Sequence, residues 1–364
     1  MRIGILFFWL CGVWLARAQE TPLRSDDSFY PRLIRLHANG AANGRLIASF
    51  DGIGVGHFFE SRDDGLTWQP LASVPEAQYR HTCCSELYEV PYTLGNTTAG
   101  TLFWTVSAHN GKAPAARALK IYRSTDQGRT WQAFASPVTG TTGLWEAEFA
   151  IDAKGRLVMY YASEEHKAEG FNQLLAHKVS TDGGATWGEE TIDVAIGGGV
   201  QRPGMPTVTR LPNDTYAMVY EICGSSHCDA FIRFSSDGTA WGEPSDPGTR
   251  IESGEGRYFA HAPTVTWMPD GSPNGLLVVV GQVLREVATG QDASDNGTAF
   301  FVNGTNGRGP WEERPTPMQT PNDGTHPCTN YSTQLLLRAN GTELIQLANK
   351  NCRVYAQIGP LHVP

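Results

Sequence analysis

A short turn followed by an apolar run recurs six times along this chain. The turns are Asn43-Gly44, Ala99-Gly100, Lys154-Gly155, Asn213-Asp214, Asn274-Gly275 and Asn340-Gly341. The runs that follow are residues 45–50, 101–106, 156–161, 215–221, 276–281 and 342–347. Turn residues of this kind supply the backbone of tight hairpins, and the β-branched and aromatic residues around them favour strands. The strand before each turn repeats too: Pro206-Thr207-Val208-Thr209-Arg210-Leu211-Pro212 and Pro263-Thr264-Val265-Thr266-Trp267-Met268-Pro269 are near copies. Helix-period patterns are scarce, so the pattern predicts an all-β chain of six hairpins.

A second repeat, Ser/Thr-x-Asp-x-Gly-x-Thr-Trp, runs from Ser61 to Trp68, Ser124 to Trp131 and Ser180 to Trp187. A shortened copy runs from Ser235 to Trp241 and a degenerate one from Asn303 to Trp311. A period of roughly 60 residues means one supersecondary unit used several times. Six units of four short strands make a six-bladed β-propeller, with the strand before each hairpin turn innermost (A), the next B, and the Asp box joining C to D. Each box is explained by turn chemistry: Asp and Ser bond turn backbone, Gly takes the special φ, and Trp fills space between sheets. The Gly52-Ile53-Gly54-Val55-Gly56 run precedes a strand-like segment, not the helix a nucleotide site needs.

The first residues read as a targeting segment. Arg2, the apolar run Ile3 to Leu15 and Ala16-Arg17-Ala18 have the form of a signal peptide, so we expect a signal over 1–18 and one catalytic propeller domain over 19–364. The formal charge of −9 argues against nucleic acid or an anionic membrane as partner. The seven cysteines lose Cys11 with the signal, and an even remainder in a secreted chain suggests disulfides. Cys223 with Cys228 and Cys328 with Cys352 are the expected pairs. Cys83-Cys84 either bond each other or pair elsewhere. No metal-ligand spacing occurs among the cysteines and histidines, and neither metal nor cofactor is expected. Sequons at Asn96, Asn213, Asn296, Asn303, Asn330 and Asn340 fit an extracellular glycoprotein, occupied at only some positions. A monomer is expected.

In a propeller, A-strand starts and B-strand ends meet at one axial rim. Counting back from the turns, the A-strand starts offer Tyr30 and Arg32, Cys83 and Cys84, Trp145 with Glu146 and Glu148, Arg202 and Met205, Arg257 and His261, and Tyr331. The B-strand ends offer Asp51, Glu164, Glu221 and Gln282. An acidic, aromatic, arginine-bearing pocket suggests a polysaccharide or oligosaccharide partner, and glycoside cleavage commonly uses two carboxyls, one kept protonated. Glu221 follows an apolar strand, where an acid is costly without a purpose. Glu146 sits two residues nearer the rim than Glu148, and strand periodicity puts both on one side. Glu164 and Glu165, with His166 and Lys167, read as a solvated loop. Cys83-Cys84, if bonded, would present a rigid sulfur platform to a sugar face.

Asp boxes in a propeller resemble the sialidase superfamily. Within it, Trp145-Glu146-Ala147-Glu148-Phe149, Tyr160-Tyr161-Ala162-Ser163-Glu164, Arg202-Pro203-Gly204-Met205-Pro206 and Val219-Tyr220-Glu221 are similar to the secreted fungal exo-1,5-α-L-arabinanases of glycoside hydrolase family 93. The resemblance implies a retaining exo-hydrolase that releases arabinobiose from the non-reducing end of linear α-1,5-L-arabinan. It makes Glu146 or Glu148 the acid/base and Glu221 the nucleophile, with Tyr331 lining the pocket. Ala147 departs from the proline expected after the glutamate. Two other readings are an exo-sialidase with Tyr331 as nucleophile and Glu221 as its base, and a non-catalytic carbohydrate-binding propeller. The first needs a cluster of arginines for a carboxylate, of which Arg32 is one. The second needs no opposed carboxyls.

Overall fold

The computed structural model describes residues 21–322, 324 and 327–361, so the predicted signal over 1–18 lies outside the described residues. Six antiparallel sheets follow one another along the chain. Blade 1 is β1 (Phe29–Arg35), β2 (Leu46–Gly52), β3 (Val55–Ser61) and β4 (Gln69–Pro75). Blade 2 is β5 (His81–Glu89), β6 (Leu102–His109), β7 (Arg117–Ser124) and β8 (Gln132–Gly140). Blade 3 is β9 (Leu144–Ile151), β10 (Leu157–Ser163), β11 (Leu174–Ser180) and β12 (Thr191–Val194). Blade 4 is β13 (Arg202–Arg210), β14 (Tyr216–Cys223), β15 (Asp229–Ser235) and the short β16 (Thr249–Arg250), extended sideways by β17 (Arg257–Ala260). Blade 5 is β18 (Thr264–Met268), β19 (Leu276–Val280), β21 (Ala299–Asn303) and β22 (Glu312–Pro315), while β20 (Val283–Glu286) leaves it to pair with β17. Blade 6 is β23 (Gln334–Leu337), β24 (Glu343–Lys350) and β25 (Arg353–Pro360).

The segment 248–259 contributes β16 and the start of β17, because β17 finds backbone partners in β15 and β20. One expectation is corrected: the sixth blade has three strands among the described residues, not four. Residues before β1 border it instead: the Leu23 N–H donates to the Val354 carbonyl (2.9 Å) and the Ser28 N–H to the Cys352 carbonyl (2.8 Å), joining the first blade to the last.

The six apolar runs are the B strands, and their composition follows from their place. Both faces of β2, β10 and β19 are buried, since each blade packs on a neighbour at either side. Phe58 meets Trp104 between blades 1 and 2, Tyr160 shares a cluster with Tyr220 between blades 3 and 4, and Phe50 with Ile345 between blades 1 and 6. The Asp boxes lie at the C–D turns and clasp neighbouring blades. Thr97 Oγ1 of blade 2 donates to the Gly183 carbonyl (2.8 Å), the Ala153 N–H of blade 3 to the Asp237 carbonyl (3.0 Å), and the Ala339 N–H of blade 6 to Asp64 Oδ2 (2.9 Å). In the degenerate fifth box Asn303 replaces serine, its Oδ1 accepting the Gly307 N–H at 2.8 Å.

One feature of the inner strands left no mark in the sequence. A non-glycine residue adopts the left-handed region at the axial start of every blade: Tyr30 (φ 54°), Cys84 (60°), Glu146 (50°), Met205 (57°), His261 (62°) and Asn330 (57°). In blades 1 to 4 the A–B register breaks at the same place. Bulges of this kind bend a strand and re-aim its side chains, and they persist only when the surroundings impose them. In blades 1 to 4 they place Tyr30, Cys84, Glu146 and Met205 at the candidate site. No helix among the described residues is long and apolar enough to cross a membrane.

Candidate active site

Glu146 on β9 and Glu221 on β14 face each other across Gly204 of β13. A β-carbon built on Gly204 would stand 3.8 Å from Glu146 Oε2 and 3.8 Å from Glu221 Oε1, so the two oxygens are no further apart than twice that distance. The same carbon would collide with Gln173 Nε2 at 2.7 Å. Glycine inside a strand commonly marks such a close approach. Gly204 was legible only as part of a motif, and nothing in its neighbours marked it as the floor between two acids.

Both carboxyls resist ionisation. Glu146 is pushed up to about 8 by burial and then by the charge of Glu221, against a hydrogen bond from the Met205 N–H to Oε2 (3.2 Å). Glu221 is pushed up to about 7 by burial, opposed by the Ala262 N–H, which donates to Oε2 at 2.7 Å, and by Arg202. His261 Nδ1 stands 4.0 Å from the same oxygen, and burial holds its imidazole below the ordinary value. Arg202 donates to Glu164 Oε1 at 2.8 Å. Glu164 is therefore not on a solvated loop: it is buried, and Trp145 Nε1 (3.0 Å) and Lys167 also donate to it. Arg257 is engaged by Glu313 and Asp295.

Glu148 and Arg32 are not beside Glu221. The break in register between Tyr160 and Ala162 falls between the two glutamates of β9, so strand periodicity does not carry through them. Glu148 hydrogen-bonds Glu86, and burial with the Glu86 charge holds its carboxyl well above the usual range. Arg32 is only 3% exposed. It is ion-paired to Glu86, donates to Ser332 Oγ (2.9 Å) and lies 4.1 Å from the centroid of the Tyr30 ring. Buried Arg32 and Glu86 with half-buried Glu148 form an axial cluster apart from the facing pair of acids.

A cavity of about 290 Å³ is lined by Tyr30, Asp51, Cys83, Cys84, Cys328 and Tyr331 among others, with neither Glu146 nor Glu221 in its lining. Cys83 and Cys84 are bonded to each other, and Cys223–Cys228 and Cys328–Cys352 are the other two disulfides. Asp51, pushed up to about 6 by burial, accepts the Ser85 N–H at 3.0 Å and so braces the vicinal pair. The Tyr30 and Tyr331 hydroxyls both reach Met205 Sδ, at 3.6 and 3.7 Å, and Met205 in turn contacts Glu146. Tyr331 also borders a second cavity of about 360 Å³, with His261 and Gln282. Ligand atoms of Glu221, Cys223, Cys228 and His261 gather within 4.8 Å, but both sulfurs are committed to a disulfide, and a carboxylate with one imidazole is a poor metal cage.

The fold and its boxes define an Asp-box six-bladed propeller of the sialidase type. The BNR/Asp-box repeat family matches residues 122–133. Among solved structures the chain is similar to a Penicillium chrysogenum α-L-arabinanase complexed with arabinobiose, at 25% identity and TM-score 0.76, covering 92% of this chain and 94% of that one. It is also similar to the Fusarium graminearum α-L-arabinofuranosidase of glycoside hydrolase family 93 with arabinobiose, at 23% identity and TM-score 0.74, covering 93% and 94%. A Hadza microbial sialidase shares the fold at 13% identity and TM-score 0.62, covering 92% and 66%. No curated protein matches. The likeness to the arabinanase, together with two opposed carboxyls, supports a glycoside hydrolase.

Proposed function

We propose that the protein is a secreted, retaining exo-glycoside hydrolase that releases arabinobiose from the non-reducing end of linear α-1,5-L-arabinan. The convergence of Glu146 and Glu221 on Gly204 carries this reading. A retaining pair stands about 5–5.5 Å apart, inside the bound that Gly204 sets. Glu146, raised by burial and then by the charge of Glu221, suits the acid that protonates the leaving oxygen and then takes a proton from water. Glu221 attacks the anomeric carbon through Oε1, the oxygen turned toward Gly204. The Cys83–Cys84 disulfide with Tyr30 and Tyr331 supplies an apolar wall for the C–H face of a pentose, and Asp51, His261 and Arg202 supply polar contacts.

A sialidase site fits these residues poorly. Arg32 is enclosed and neutralised by Glu86, and Arg202 is paired with Glu164. Burial and then the charges of Glu221 and Glu146 hold Tyr331 well above its ordinary value. The test is a product assay. Debranched arabinan should yield a disaccharide, and sialyllactose should yield nothing. Free sialic acid, or no product from arabinan, overturns the assignment.

A further inference from the structure

We infer that the Cys223–Cys228 disulfide and the His261–Ala262 turn form a positioning device for the Glu221 carboxylate. The inference rests on the reading of Glu221 as nucleophile and adds what holds that nucleophile in place. The contacts make a closed circuit. Glu221 and Cys223 lie two residues apart on β14, and Cys223 Sγ is 3.4 Å from Glu221 Oε1. The disulfide passes from Cys223 to Cys228. The Cys228 carbonyl accepts the His261 N–H at 2.8 Å, and the next N–H, of Ala262, returns to Glu221 Oε2 at 2.7 Å.

The two oxygens are treated differently. Oε2 is anchored by a backbone donor. Oε1 faces Gly204 and lies 3.4 Å from a disulfide sulfur, which has no proton to donate and so leaves the lone pairs of Oε1 free for attack. The two turns of the circuit are strained: His227 (φ 52°), Cys228 (65°), His261 (62°) and Ala262 (45°) are all left-handed. Non-glycine residues hold such conformations only under external constraint, and the covalent link at Cys228 provides it. Ala262 is fully buried, so its N–H has no water to turn to. The other groups facing Glu221 are Arg202 on β13, Glu146 on β9, His261 and Tyr331; Arg202 and the Ala262 N–H favour the charged carboxylate.

The experiment is a carbon-13 NMR titration of glutamate-labelled protein, with Glu221 assigned by its absence from Glu221→Gln. The parent is compared with the double variant Cys223→Ala, Cys228→Ala and with Ala262→Gly. Loss of the disulfide should raise the Glu221 midpoint by about half a unit or more, because the donor is no longer aimed. Turnover of debranched arabinan should fall about ten-fold or more with KM within about three-fold, as for a misplaced reacting group. Ala262→Gly keeps the N–H and the disulfide but frees the turn; it should shift the midpoint the same way, by less, with no loss of thermal stability. A Glu221 midpoint unmoved in both variants overturns the inference, as does a lowered Tm with midpoint and kcat intact. If the double variant does not fold, Ala262→Gly decides. If the parent hydrolyses no arabinan, the proposed activity fails, and the NMR comparison still tests the circuit.

Discussion

Burial of Glu221 costs the native state stability as pH rises. Its folded-state value is about 7, against about 4.3 for a free glutamate. As pH rises between these values the unfolded chain releases its proton first, so the native state loses stability through that window. Glu221→Gln should therefore be more stable than the parent at pH 8, by on the order of 3 kcal/mol, and the gap should close at pH 4. Denaturant melts at the two pH values check this, and equal gaps would contradict the burial argument. Glu164 shows why sequence alone separates such residues poorly. Burial pushes it up as well, but hydrogen bonds from Arg202, Lys167 and Trp145 hold it below the usual range. Lys167 is only three residues away, but Trp145 on β9 and Arg202 on β13 come from other strands, and no local pattern around Glu164 announces them. That Glu146 lies nearer the rim than Glu148 was legible from strand spacing. The separate fate of Glu148 was not, because it follows from a bulge at a non-glycine residue.

At the scale of elements, turns and B strands were the readable features. Each Asn-Gly or similar turn sits between an A and a B strand, and each box sits at a C–D turn. The boxes are read as structural, which makes a prediction. Asp126 accepts the Thr130 N–H (2.9 Å) and Thr130 Oγ1 (2.6 Å) and binds Ser124 Oγ (2.8 Å). Asp126→Ala should lower stability by about 1–2 kcal/mol and leave kcat on arabinan unchanged. Lost turnover with stability intact would instead place the box in the chemistry. The axial bulges were unreadable for a physical reason. Left-handed backbone is announced by glycine or asparagine, whereas Tyr30, Cys84, Met205 and His261 are forced into it by the surrounding blades. The lateral pairing of β17 with β20 was hidden likewise, since it joins segments on either side of the fifth hairpin.

At the scale of the whole molecule, six blades bring acids 75 positions apart in sequence to one floor residue, Gly204. The boxes hold the opposite end of the wheel, so stability and chemistry are separated along the axis. The axial cluster of Arg32, Glu86 and Glu148 ties blades 1, 2 and 3 together. The central claim is that Glu146 and Glu221 form one cleaving pair. Its most direct test is turnover of debranched arabinan by Glu146→Gln and Glu221→Gln, with arabinobiose binding followed by calorimetry. Each substitution should lower kcat by about 10³-fold or more while binding stays within a few-fold of the parent. Undiminished turnover by either variant would show that the two carboxyls do not act together.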